Sequence, residues 1–120
     1  MSQVKALPAI PRAHTFSIIA IDRQAGLMGV GVQSHWFSVG SRVAWAEPGV
    51  GVVATQAMVE VGYGPRGLEA MRAGKTPAEA LSALLAADAQ REVRQVAMLS
   101  VNAPAAAHTG LPLSVCVAHT

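Results

Sequence analysis

A single cysteine, Cys116, is all the thiol chemistry these 120 residues carry. It excludes an intramolecular disulfide framework and leaves no CxxC or Cys/His spacing for a metal, so a reducing, cytoplasmic setting is expected. Charge is scarce too, at 13% of residues, where a soluble domain usually has about 25%. A surface so poor in charge implies that a partner covers part of it, or that part of the fold is missing; a homo-oligomer is the expected form. Nine basic and seven acidic residues are scattered singly, for a net charge of +2. Without a Lys/Arg run the electrostatic footprint of a nucleic-acid binder is absent. No apolar run approaches the eighteen or so residues that a membrane helix requires, so no membrane partner is expected. The opening MSQVKALPAIPRAH lacks a continuous hydrophobic stretch and does not read as a signal peptide. Its prolines, Pro8 and Pro11, lack amide donors and favour extended neighbours, so residues 1–13 are expected to form a flexible leader.

What is present is dense in strand formers. Thr15 to Ile21 is rich in β-branched and aromatic residues, Asp22-Arg23-Gln24-Ala25-Gly26 supplies a turn ending in glycine, and Leu27 to Gln33 resumes; the pattern predicts a β-hairpin. Both arms are apolar at nearly every position, which predicts burial on both faces. Ser41 to Ala46 is a third strand candidate, stopped by Glu47-Pro48-Gly49, and Val50 to Gln56 is a fourth. The period then changes to that of helices. Pro65 suits a first helical turn, Leu68 and Met71 share a face, and Gly74 can close the segment, so residues 65–73 are predicted helical. Thr76-Pro77-Ala78-Glu79 has the reciprocal capping pattern that starts a second helix, with Leu81, Leu84 and Leu85 as its apolar stripe. Residues 93–101 read as a fifth strand. Four strands, then two helices, then strands argue for an α+β fold with a mostly antiparallel sheet.

Most motif matches dissolve on inspection. Gly74-Lys75-Thr76 resembles the end of a phosphate loop, but Glu69 stands where that loop needs glycine, and a helix precedes it instead of a strand. Gly29-x-Gly31 and Gly49-x-Gly51 lack the third glycine and following helix of a dinucleotide fingerprint, so no cofactor is expected. His14, His35, His108 and His119 share no helical spacing, and no metal site is expected. Trp36 and Trp45 are assigned to core or interface. Ser34 and His35 are adjacent, so on a continuous strand they point to opposite faces and cannot form a nucleophile-base pair. Nor is there a GxSxG elbow. Thr15, read from composition alone, is a good strand residue.

The succession TFSIIAID, GLMGVGVQS, VGSRVAWAEPGVGVVATQ, YGPRGLEAMRAGKTPAEALSALLAAD, RQVAMLSV and AAHTG changes that reading. From Thr15 to Gly110 the chain resembles a bacterial family known only as domain of unknown function 1028. Through that family it resembles the N-terminal nucleophile (Ntn) hydrolases. The resemblance implies an αββα sandwich of antiparallel sheets over residues 14–110. It also implies Thr15 as a nucleophile that attacks an amide carbonyl while its own freed α-amino group takes the proton. An α-amino group, with a pKa near 8, suits base work at neutral pH. That role requires cleavage of the His14–Thr15 bond.

Ser34, Arg42, Gln56 and Tyr63 stand in family-like positions. Polar groups in apolar strands need partners, and a site supplies them. Gln56 would hydrogen-bond an amide substrate and Arg42 a carboxylate; packing roles for both are equally compatible with the residues. The resemblance stops at Gly110: residues 111–120 diverge from the family's usual continuation, so the sandwich is expected to be incomplete. The expected function is an Ntn-type hydrolase acting on a small amide or peptide-like substrate. The alternative is a non-catalytic, oligomeric binding or assembly module that keeps the fold.

Overall fold

The computed structural model describes residues 15–111. The leader and most of the C-terminal tail lie outside the described residues. Strands β1 (Thr15–Asp22) and β2 (Leu27–Ser34) form the predicted hairpin. Its turn is fixed by Asp22, whose Oδ1 accepts from the amides of Gln24 and Ala25 at 3.0 Å each, and by Gly26 at φ +67°. A side chain that caps its own turn and a glycine in the left-handed region together pin the register.

A second, four-stranded sheet follows in the order β3 (Ala44–Glu47), β4 (Gly51–Ala57), β5 (Arg94–Ser100), β6 (Ala106–Thr109), every pair antiparallel. Helices α2 (Tyr63–Arg72) and α3 (Pro77–Ala86) cover one face of this sheet. There Val53, Val96 and Met98 meet Tyr63, Leu68, Met71, Ala80 and Leu81 in the buried core. Val52, Ala54 and Leu99, one residue out of phase, are buried against the other face, where the hairpin lies. The molecule is thus a mixed α/β fold of three layers, helices on sheet on hairpin, with antiparallel pairing throughout. Among the described residues no helix is long and apolar enough to cross a membrane.

Two expectations are corrected. The hairpin is not buried on both faces: along β1 half-buried and exposed positions alternate, and Phe16, Ile18 and Leu27 are more than 60% exposed on the outward side. Its apolar outer positions meet no layer among the described residues. The third strand is shorter than predicted, because Gly40–Val43 is a single helical turn, α1. Ser41 explains it: its amide and Oγ both donate to the Ser38 carbonyl, at 3.1 and 2.7 Å, a local alternative to the ladder that outweighs strand propensity. Of the two tryptophans assigned to core or interface, Trp36 is 71% exposed and lies outside the core. Trp45, by contrast, packs against the helical core, and a Cβ added at Gly64 of α2 would collide with its ring.

Candidate functional site

Hairpin register sets Thr15, the first residue of β1, opposite Ser34, the last of β2. Both fall on the inward phase, and Thr15 Oγ1 lies 2.8 Å from Ser34 Oγ. Ser34 Oγ also accepts from the Trp36 amide at 3.2 Å. A hydroxyl has one proton to donate and two lone pairs. With one lone pair taken by Trp36, Ser34 can donate its proton to Thr15 Oγ1. The Thr15 hydroxyl proton is then free for another base.

What lies beneath follows from how the layers are aligned. At the turn end of the hairpin, Arg23 Nη1 donates to the Val101 carbonyl at 2.5 Å, and Val101 in turn donates to Val50, beside the start of β4. The eight-residue arms therefore run along the sheet, over about 26 Å at 3.3 Å per residue. Thr15 and Ser34 reach the opposite end, where β4 finishes and β5 begins. Gln56 occupies that end on the hairpin-facing phase, since Val53 and Thr55 alternate to the helical side. It is 3% exposed and its Nε2 has no hydrogen-bond partner among the described residues. A buried donor without a partner carries a desolvation penalty of about 1–3 kcal/mol unless a ligand or water meets it. Directly across the ladder sits Gln95, half-buried.

The loop after β2 adds more. Trp36 and Phe37 are 71% and 100% exposed, and α1 then carries Arg42, exposed and without a carboxylate partner among the described residues. Ala44, the next strand's first residue, pairs with Ala54, so α1 also lies toward the Gln56 end of β4. The His35 ring stands 5.6 Å from that of Trp36.

Tyr63 is not part of this group. It opens α2 on the other side of the sheet, 1% exposed, and its hydroxyl donates to Asp88 Oδ2 at 3.0 Å. Asp88 also accepts from Arg94 Nε at 2.8 Å, and Arg94 Nη1 donates to the Met58 carbonyl at 2.6 Å. The Arg94 hydrogen bond holds the Asp88 carboxyl down at about 2, whereas burial, aided by Asp88, pushes the Tyr63 hydroxyl up to about 12. Both groups keep one charge state across the physiological range. Beside them a cavity of about 130 Å³ is lined by Glu60, Tyr63, Arg66, Leu84, Ala87 and Asp88. Among the described residues no cluster of His, Cys, Asp and Glu could hold a metal.

On this alignment Thr15, Ser34, Gln56 and Arg42 fall toward one end of two stacked sheets, whereas Tyr63 lies on the helical side. Two contributors escaped the sequence reading. Gln95 was legible as a polar residue in an apolar strand, RQVAMLSV, on the same phase as Ala97 and Leu99. The Trp36 amide carried no signal, because backbone donors have no residue signature.

Comparison with known proteins matches residues 15–120 to the family of unknown function DUF1028. A crystal structure of a Silicibacter pomeroyi protein described by the same family is similar at a TM-score of 0.75 and 31% identity. The match covers 80% of this chain and 45% of that one, so the chain spans less than half the length of that relative. Among curated proteins there is no match. With a family model that begins at Thr15 and takes in all the described residues, the chain belongs to the DUF1028 family.

Proposed function

We propose that this protein is an amide hydrolase of the Ntn type with Thr15 as its nucleophile. The observation that carries the reading is the 2.8 Å contact between Thr15 Oγ1 and Ser34 Oγ at the first position of an inward-facing strand phase. The three-layer order of helices, sheet and second sheet is compatible with an αββα sandwich. In the reaction, Thr15 Oγ1 bonds to the amide carbonyl carbon and its proton passes to the Thr15 α-amino group. That proton goes on to the leaving nitrogen as the C–N bond breaks, and water then cleaves the resulting ester to release the carboxylic acid. Ser34 orients the nucleophile, and the Gln56 Nε2 donor serves the carbonyl oxygen as negative charge develops on it. Arg42 binds a carboxylate on the substrate.

A free α-amino group requires the His14–Thr15 bond to be cut. Intact mass and N-terminal sequencing of the purified protein test this directly. The expected product begins at Thr15, hydrolyses acyl anilides, and loses that activity in Thr15→Ala. A chain that keeps residue 14 and cleaves no amide overturns the reading.

A second reading has its own observation. The outer hairpin face, with Phe16, Ile18 and Leu27 exposed, fits a non-catalytic module that associates with a second copy of itself. Its test is the state of association in solution.

A further inference from the structure

Seven large hydrophobic side chains are exposed among the described residues, and three of them, Trp36, Phe37 and Met58, lie within three residues after the ends of β2 and β4. The backbone at this end is unusual as well. Among the described residues only two non-glycine residues have positive φ, Ser38 at 56° and Ala57 at 67°. Ser38 follows Phe37 and Ala57 precedes Met58. Left-handed backbone is unfavourable for residues with a Cβ, and such strain gathers where a surface is held for a ligand. Here it occurs twice, each time beside an apolar side chain left in water. Gln56, whose buried amide has no hydrogen-bond partner among the described residues, directly precedes Ala57, and the exposed Arg42 follows Ser38 by four residues.

We propose that this end of the molecule recognises N-acyl amino acids with a large apolar acyl group. Trp36, Phe37 and Met58 receive the acyl chain or ring, Gln56 Nε2 donates to the amide carbonyl, and Arg42 pairs with the carboxylate. Three chemistries stand toward one end of the sheets in the combination such a molecule carries: hydrophobic surface, an amide donor and a cation with no carboxylate partner among the described residues. The inference rests on the amide-hydrolase reading for its reaction, but recognition is measurable without turnover. Trp36 is tied to the nucleophile by its amide, which donates to the same Ser34 hydroxyl that contacts Thr15. The backbone that carries the exposed Trp36 therefore sits beside the reacting group.

Isothermal titration calorimetry on the full chain, with N-phenylacetylglycine as probe, tests the inference. N-Acetylglycine removes the aromatic group and N-phenylacetylglycinamide removes the carboxylate. The expected result is saturable binding of the probe at least tenfold tighter than either analogue. Phe37→Ser is expected to abolish the preference for phenylacetyl over acetyl, and Arg42→Gln the preference for carboxylate over carboxamide. Both side chains are exposed, so both variants should melt as the parent does; Trp36→Ser supplies a second probe of the apolar part. Equal affinity for all three molecules overturns the proposal. So does Phe37→Ser dissociating an oligomer while ligand preference stays unchanged, since the patch is then a protein interface. Failure of the underlying reading looks different: a protein that binds with these preferences and cleaves no amide is not a hydrolase, yet keeps the recognition proposed here. Cleavage of amides with neither preference leaves the hydrolase standing and removes this inference.

Discussion

At the scale of single residues, the sites that matter most are polar groups in apolar surroundings, and they divide by whether they have partners. Gln56 has an amide nitrogen with no partner among the described residues, which is why the proposed recognition is built on it. Asp88, Arg94 and Tyr63 are partnered by one another, by Gln90 and by the Met58 carbonyl, and their work is cohesion. Arg94 and Asp88 side chains are 8% and 14% exposed, so removing one leaves the other charge poorly solvated. Arg94→Met is expected to cost about 3–5 kcal/mol in urea unfolding. The same network predicts a pH dependence. Asp88 titrates at about 2 when folded, against 3.8 ordinarily. A depressed carboxyl contributes stability above its unfolded value and loses it as pH falls through the folded one. Its share should therefore be intact above about pH 4 and vanish toward pH 2. Arg94→Met, which removes the cause, is expected to flatten that acid slope. An unchanged slope in the variant would assign the effect to other carboxylates.

At the scale of elements, legibility followed the range of the signal. The capping box at Thr76 and Glu79 is local, and the structure holds both halves of it: Glu79 N donates to Thr76 Oγ1 at 3.2 Å and Thr76 N to Glu79 Oε2 at 2.8 Å. Thr76→Ala is expected to destabilise the protein by about 1 kcal/mol in denaturant titration, with helix α3 the first to lose amide protection in hydrogen exchange. The hairpin turn was equally local and was read from the sequence, but the register that sets Thr15 opposite Ser34 came only with the structure. The faces were not. Apolar residues on both sides of β1 and β2 implied two covered faces, yet whether a second layer exists depends on chain that meets the strand from far away or from another molecule. Residues 41–43 failed for a different reason, a Ser41 hydrogen bond that competes with strand pairing within four residues. Tyr63 illustrates the limit of motif reading. Its position in the sequence resembled that of the site residues, but α2 turns it into the core, and only the tertiary fold separates it from Gln56 across the sheet.

For the molecule as a whole, the three layers leave an unusual outer surface. Phe16 and Ile18 on β1, and Leu27 on β2, face outward between Ala20, Gly29 and Gly31, so a flat apolar strip runs along the hairpin. Burying one such large side chain is worth about 1.5–3 kcal/mol, and three on each of two copies give association a substantial driving force. A charged fraction of 13% supplies little repulsion to oppose it. Two-fold pairing of hairpin faces is the simplest arrangement, because the same strip then serves both partners. Sedimentation velocity is expected to show a concentration-dependent dimer, and Phe16→Lys with Ile18→Lys to shift the equilibrium to monomer by more than tenfold without lowering the melting temperature of the monomer. Thr15 lies on the opposite face of the same strand, so the charged variant should keep whatever amide chemistry the protein has. If the wild type is monomeric across the concentration range, the strip is free in solution and the non-catalytic assembly reading falls with it.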